Sequence, residues 1–433
     1  MIRDAAVATT TDVLITNARL IDPASGLDTM GGLLVRDGRI VDVGPALGRP
    51  DGVEVVDAGG AVLCPGLVDM RAELGEPGGE YRETIASAAQ AAAAGGITTL
   101  AALPNSELAI DDPSLVRLLR ARGEETGSLT ILPYAAVTRG CLGKELAELG
   151  LLREAGAVAF TDGARAIASA HMMRLALAYA AQWGARVVQH PEEPSLAGAG
   201  VATQGELATR LGLPASPAAA EAMMVWRDIR LARMTGGAVH FAHVSTAEAL
   251  ALIRAAKADG VAVTCDTAPP YFDLNETAIG DFRTYAKLSP PLRAEADRMA
   301  VAAGLADGTI DAVASDHQPR DADDKRLPFA QAAAGGTGLA TLLAVTLVQV
   351  HGGALPLMRA LELLTVAPAR LLGCAAGTLA KGAAADLCLF DLERGWRVEA
   401  GALPGKAQNT PFDGRALEGR VIGTWHGGRR VFG

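Results

Sequence analysis

Nowhere does the chain hold a run of eighteen or more uncharged apolar residues. No membrane-spanning helix is therefore expected, although half of the 433 residues are hydrophobic and mean hydropathy is +0.23. That apolar content is the Ala, Val and Leu of a parallel sheet buried on both faces and of the helices that cover it. Cysteine is scarce: Cys64, Cys141, Cys265, Cys374 and Cys388 stand apart with no C-x-x-C spacing. This argues against a zinc ribbon or a disulfide framework and for reduced, mostly buried thiols. Positive charge is in deficit, with a net charge of -10 and no basic cluster, which argues against a nucleic-acid partner. The opening MIRDAAVATTTD lacks the apolar core of a signal peptide, so a soluble cytoplasmic protein is expected. No internal repeat and no low-complexity linker break the chain.

What is present begins with Val62 to Asn105. An apolar run through Leu67 and Val68 ends on Asp69-Met70 and passes into a Gly/Pro-rich loop. An Ala-rich helix over Thr84 to Ala94 follows, then a second apolar run from Ile97 to Leu103. This is one βαβ unit of a parallel sheet, with chemistry expected at the strand ends. Further apolar runs alternate with helical patterns at Leu129–Ala136, Ala157–Phe160, Ala185–Gln189, Ala238–His243, Val261–Cys265 and Ala312–Ser315. Helices are predicted between them, for instance over His171–Gln182 and Thr246–Asp259. Eight repeats of strand then helix predict a TIM barrel, with a doubly wound sheet as the alternative. Residues 11–60 and 377–433 instead read as short strands, with Asp37-Gly38 marking a hairpin. Two β-rich ends around an α/β middle predict one small domain closed by both termini.

Particular phrases narrow this further. Pro65-Gly66, Asp69, Gly95-Gly96-Ile97-Thr98-Thr99 and Leu103-Pro104-Asn105-Ser106 are joined by HFAHVST (240–246), SPPLR (289–293), SDHQPR (315–320) and GTLAKGAAADL (377–387). Together they resemble the dihydroorotases of the amidohydrolase superfamily over almost the whole chain. The resemblance implies a distorted (β/α)8 barrel over residues 61–370 and a composite β-sandwich from 1–60 and 371–433. It also implies metal positions at His190, His243 and Asp316, with Asp316 as general base in active relatives, and a substrate contact at Asn105. Asp162, in Phe160-Thr161-Asp162-Gly163, matches part of a paired-aspartate phrase and is a further metal candidate.

The same comparison exposes departures. Where the family opens its site with His-x-His, this chain has Arg71-Ala72-Glu73; where the family binds the substrate carboxylate with Arg, it has Gly75. Pro270-Tyr271 replaces a His pair, Ser289 an Asn, Arg320 a His and Ala340 a Glu. Residues i and i+2 of a strand face the same side, so Arg71 and Glu73 point where two imidazoles would hold a cation. A guanidinium is always charged and presents only donors. At 4 Å from a dication its repulsion is about 8 kcal/mol at an effective dielectric of 20. Arg71 is therefore expected to replace the metal electrostatically and pair with Glu73, Asp162 or Asp316; the bland alternative points it to solvent. Asp321-Ala322-Asp323-Asp324-Lys325 is expected to be a solvated surface turn rather than a metal loop.

Two functional expectations follow. The first is a non-catalytic dihydroorotase-like protein without a cofactor, a homo-oligomer and a structural partner of the aspartate transcarbamoylase catalytic chain in pyrimidine synthesis. The second is an enzyme with one zinc on His190, His243 and Asp316, acting as a dihydroorotase or a related cyclic amidase.

Overall fold

The computed structural model describes residues 12–433; the leader reading of the first residues lies outside them. Eight parallel strands follow one another in chain order: Leu67–Ala72, Ile97–Ala102, Thr130–Ala135, Ala159–Phe160, Arg186–Gln189, Ala238–Phe241, Val263–Thr267 and Ala312–Val313. Each pairs with its sequence neighbour, and a parallel bridge between Ala72 and His317 joins the last strand end to the first. The sheet thus closes as a TIM barrel, which excludes the doubly wound alternative. The predicted helices are present. Thr84 caps Ile85–Ala94 in a capping box with Ser87, and the Thr246 hydroxyl accepts from Ala249 N at the start of Ala247–Ala258. Among the described residues no helix is long and apolar enough to cross a membrane.

The second sheet takes strands from both ends of the chain. Its order is Arg429–Phe432, Arg420–His426, Leu387–Asp391, Val62–Pro65, Val13–Asp22, Leu27–Arg36 and Arg39–Gly44, with Glu54–Asp57 also beside Val13–Asp22. The hairpin at Asp37-Gly38 forms as read, both residues having positive φ. One correction concerns the run that opens at Val62. Val62–Pro65, expected to begin the barrel, pairs with Leu387–Asp391 in the terminal sheet, and the chain crosses between sheets at Gly66. Only glycine fits this crossing, because a Cβ there would sit 2.2 Å from Thr98 Oγ1.

A second finding concerns the C-terminal segment, which leaves its sheet to cross the barrel mouth. Lys406 N donates to Glu83 Oε1, and Asn409 Nδ2 donates to the carbonyls of Gln318 and Gly335. Both carboxylate and amide are buried, so residues of the terminal domain form part of the barrel's upper wall. The predicted surface turn at Asp321 is likewise revised. Ala322–Arg326 is a short helix whose Lys325 is buried, its ammonium donating to the carbonyls of Ala333, Thr284 and Lys287 at 2.8, 3.1 and 3.3 Å. A long side chain can satisfy all its donors on loop carbonyls, which a surface reading of the acidic residues does not anticipate.

Candidate functional site

The reactive side chains gather at the C-terminal ends of the barrel strands, where consecutive parallel strands deliver them to one mouth. Arg71, at the end of the first strand, is 1% exposed. Its Nε donates to Asp316 Oδ1 at 2.7 Å, and its Nη2 to the Gly163 carbonyl at 3.2 Å. Its Nη1 is buried without a hydrogen-bond partner. The solvent-facing alternative is therefore overturned. Of the three partners expected for Arg71, the ion-pair partner is Asp316.

Asp316 lies just beyond the eighth strand with φ of 47°, a left-handed backbone that turns its carboxylate inward. Gln318 Nε2 donates to the same Oδ1 at 3.1 Å. Burial pushes the Asp316 carboxyl above its ordinary range, while Arg71 pulls it back.

Glu73 faces the mouth two residues on and meets a different cation. Arg320 Nη1 donates to its Oε2 at 2.5 Å, and Asn105 Nδ2 to its Oε1 at 3.0 Å. Burial acts to raise the Glu73 carboxyl, but the charge and hydrogen bonds of Arg320, with Asn105 and Arg71, hold it below its ordinary value. Asn105 is thus already spent on Glu73, and its Oδ1 abuts Gly163, where a Cβ would meet it at 2.0 Å. Asp162 turns elsewhere: it accepts from Thr138 N at 2.9 Å and Thr138 Oγ1 at 2.5 Å. Its neighbour Gly163, not its carboxylate, reaches Arg71.

His190 and His243, from the fifth and sixth strand ends, are buried together. His190 Nδ1 and His243 Nε2 are 3.0 Å apart, one donating to the other. His190 Nε2 lies 3.5 Å from Glu192 Oε2. His243 has φ of 39°, and its backbone N–H donates to Asp266 Oδ1 at 2.6 Å. Burial, then the nearby charges of Arg71 and His190, holds the His243 imidazole well below its ordinary pKa and keeps it neutral. Its Nδ1 has no partner.

Sequence reasoning missed Asp266, Thr138 and Gln318. Asp266 also accepts from His240 Nε2 at 2.9 Å, so it anchors the sixth strand end from the seventh. Its sequence signal was a charged residue directly after the apolar run Val261–Cys265, where the observed strand Val263–Thr267 continues through it. Arg320 was read as a lost His; it is the counter-ion of Glu73.

The residues do not fit the divalent cation that the family resemblance implies. Asp316 Oδ1 is bonded to a guanidinium, whose permanent charge would repel a cation beside it, and the facing nitrogens of His190 and His243 are bonded to each other. Among the described residues no group of three or more His, Cys, Asp or Glu side chains is arranged to hold a metal. The space is also small. Hollows of about 20 Å³ beside Glu73 and Asn105, and about 10 Å³ beside Asp316, touch this site. A small-molecule site needs roughly 300 Å³ or more. A cavity of about 530 Å³ between Leu343 and Trp396 includes none of these residues and lies away from the strand ends.

Comparison with known proteins places this architecture. Residues 60–249 match the family model described as dihydro-orotase-like. The chain is 45% identical over 421 residues to the dihydroorotase of Pelobacter propionicus, covering 97% of this chain and 99% of that one. It is 44% identical over 423 residues to the dihydroorotase of Anaeromyxobacter sp. (strain K), covering 97% and 98%. Among solved structures, the L-hydantoinase (dihydropyrimidinase) of Arthrobacter aurescens superposes with a TM-score of 0.87 at 25% identity, covering 98% of this chain and 96% of that one. The dihydropyrimidinase of Brevibacillus agri shares the fold, with a TM-score of 0.83 at 22% identity, covering 98% and 95%. A closed eight-stranded barrel, a sheet built from both termini and relatives matched along nearly their whole length leave one assignment: the chain belongs to the dihydroorotase family.

Proposed function

We propose that this chain serves pyrimidine synthesis as a non-catalytic member of its family, a structural partner of the aspartate transcarbamoylase catalytic chain. The observation that carries the reading is the buried Arg71–Asp316 ion pair. Asp316 is the residue matched to the general base, and its pairing with Arg71 sets a permanent positive charge beside the place a metal and its water would occupy. The second departure supports it. Glu73 and Arg320 replace two imidazoles with a complementary ion pair, so the mouth is charge-balanced rather than merely eroded. A site emptied of function but kept folded fits a protein retained for what it holds, and abundance in a complex stabilises both partners by mass action.

A second reading is a one-zinc dihydroorotase, and the specific observation favouring it is His243 Nδ1, a buried imidazole nitrogen without a hydrogen-bond partner. Turnover of carbamoyl aspartate and dihydroorotate by the purified chain, with and without zinc and against His190→Ala, separates the two. Silence in every condition, with co-purification of the transcarbamoylase chain, is the expected result. Zinc-dependent turnover lost in His190→Ala would overturn the non-catalytic reading, and repeated failure of the two chains to associate would overturn the partnership.

A further inference from the structure

We infer that Arg71 is a resident cation: its guanidinium takes the electrostatic place of a divalent ion and lets the barrel mouth assemble without one. The inference deepens the non-catalytic reading and rests on it in taking Arg71, rather than a metal, as the cation of the working protein.

Three observations carry it. First, Arg71 is 1% exposed and its Nε donates to Asp316 Oδ1 at 2.7 Å. A buried carboxylate costs several kcal/mol unless it is paired or hydrogen-bonded, and at Asp316 the guanidinium supplies the pairing. Second, the His190 and His243 nitrogens stand 3.0 Å apart. Two imidazole nitrogens on one tetrahedral zinc, each 2.0–2.1 Å from the ion, stand about 3.3 Å apart. The observed pair is closer than that and hydrogen-bonded to itself, so the two rings are closed on each other rather than opened round an ion. Third, Arg71 Nη1 and His243 Nδ1 are both buried without partners. A guanidinium satisfies the charge of this site but not all of its hydrogen bonds, as a substituted ion would.

Removing the guanidinium should therefore turn a metal-indifferent protein into a metal-dependent one. Arg71→Gln deletes the charge and shortens the side chain, leaving Asp316, His190 and His243 facing a vacated space. With chelator present, the folding equilibrium of this variant should fall by about 100-fold or more, the cost of stranding one member of a buried pair. Saturating zinc should restore most of that loss with about one equivalent bound per chain, and cobalt should give the absorption of a tetrahedral N/O site. Arg71→Lys, which keeps the charge, should need no metal. The wild-type unfolding midpoint should move with neither zinc nor chelator.

If Arg71→Gln fails to fold, Arg71→Gln with Asp316→Asn removes the stranded carboxylate as well. That double variant should recover most of the loss and bind no zinc. Zinc that leaves Arg71→Gln unchanged, Arg71→Lys as damaged as Arg71→Gln, or a double variant no better than the single would each overturn the resident-cation role. Those results bear on Arg71 alone, whereas zinc-dependent turnover by the wild type would sink the non-catalytic reading itself.

Discussion

Replacing Arg320 by Ala should make the protein's stability depend on pH in the opposite sense to an ordinary salt-bridged carboxylate. Arg320 and Glu73 are 13% and 14% exposed in their side chains, so the pair is screened far less than a surface one. Two unit charges 4 Å apart at an effective dielectric of 20 interact with about 4 kcal/mol. Glu73 remains desolvated when its partner is gone, so the variant should lose about 3 kcal/mol near neutral pH, the lower end for a broken buried pair. In the wild type Glu73 is held below its ordinary pKa, so its contribution is present above the unfolded value and lost as pH falls through the folded one. Without Arg320, burial dominates and the carboxyl should rise above its ordinary value. Its stabilising contribution is then that of the protonated form, present in acid and lost as pH rises through the new folded pKa. Each unit of that rise is worth about 1.4 kcal/mol, so the loss should shrink to roughly 1 kcal/mol at about pH 5. Urea unfolding of wild type and Arg320→Ala at the two pH values measures this, with Glu73→Gln added as the control in which the difference vanishes. Equal losses at both pH values would refute the argument, since they would place the cost in the bonds from Arg320 to the Ala334 and Pro319 carbonyls.

Two other perturbations test the frame around the site. Gly66→Ala places a Cβ against the Thr98 side chain where the chain changes sheets, and it should cost about 1–3 kcal/mol by overpacking; adding Thr98→Ala removes the two nearest atoms and should relieve most of it, as chemical denaturation of the pair will report. His243 is neutral when folded because its pKa is depressed, so its contribution is present above the unfolded value and lost as pH falls below about 6.5. His243→Gln should flatten that acid-side slope by up to about 1.4 kcal/mol per pH unit, and an unchanged slope would remove His243 as its source.

The chain's order of strands and helices was legible because it rests on local physics. Apolar runs bounded by Gly and Pro, Thr84 and Thr246 as caps, and Asp37-Gly38 at a hairpin act over a few residues, and each formed where the sequence indicated it. The identity of Arg71, Glu73, His190, His243 and Asp316 as mouth residues was legible too, since strand periodicity and family wording fix which side chains reach a strand end.

Their partners were not legible, because pairing is decided between segments far apart in sequence. Arg71 finds Asp316 rather than Glu73, its neighbour on the same face, because Arg320 arrives from the eighth strand loop to claim Glu73. Asn105, expected to face a substrate, is drawn to the same carboxylate. Asp162 is held by Thr138 from the preceding strand end. The split of Val62–Pro65 from the barrel likewise depends on Leu387–Asp391, more than three hundred residues later, offering it an edge to pair with. Sequence determined which groups could meet at this mouth. The tertiary fold decided which of them did, because burial forces each charge to find a counter-ion or a hydrogen-bond donor within reach, and only the folded barrel sets those distances.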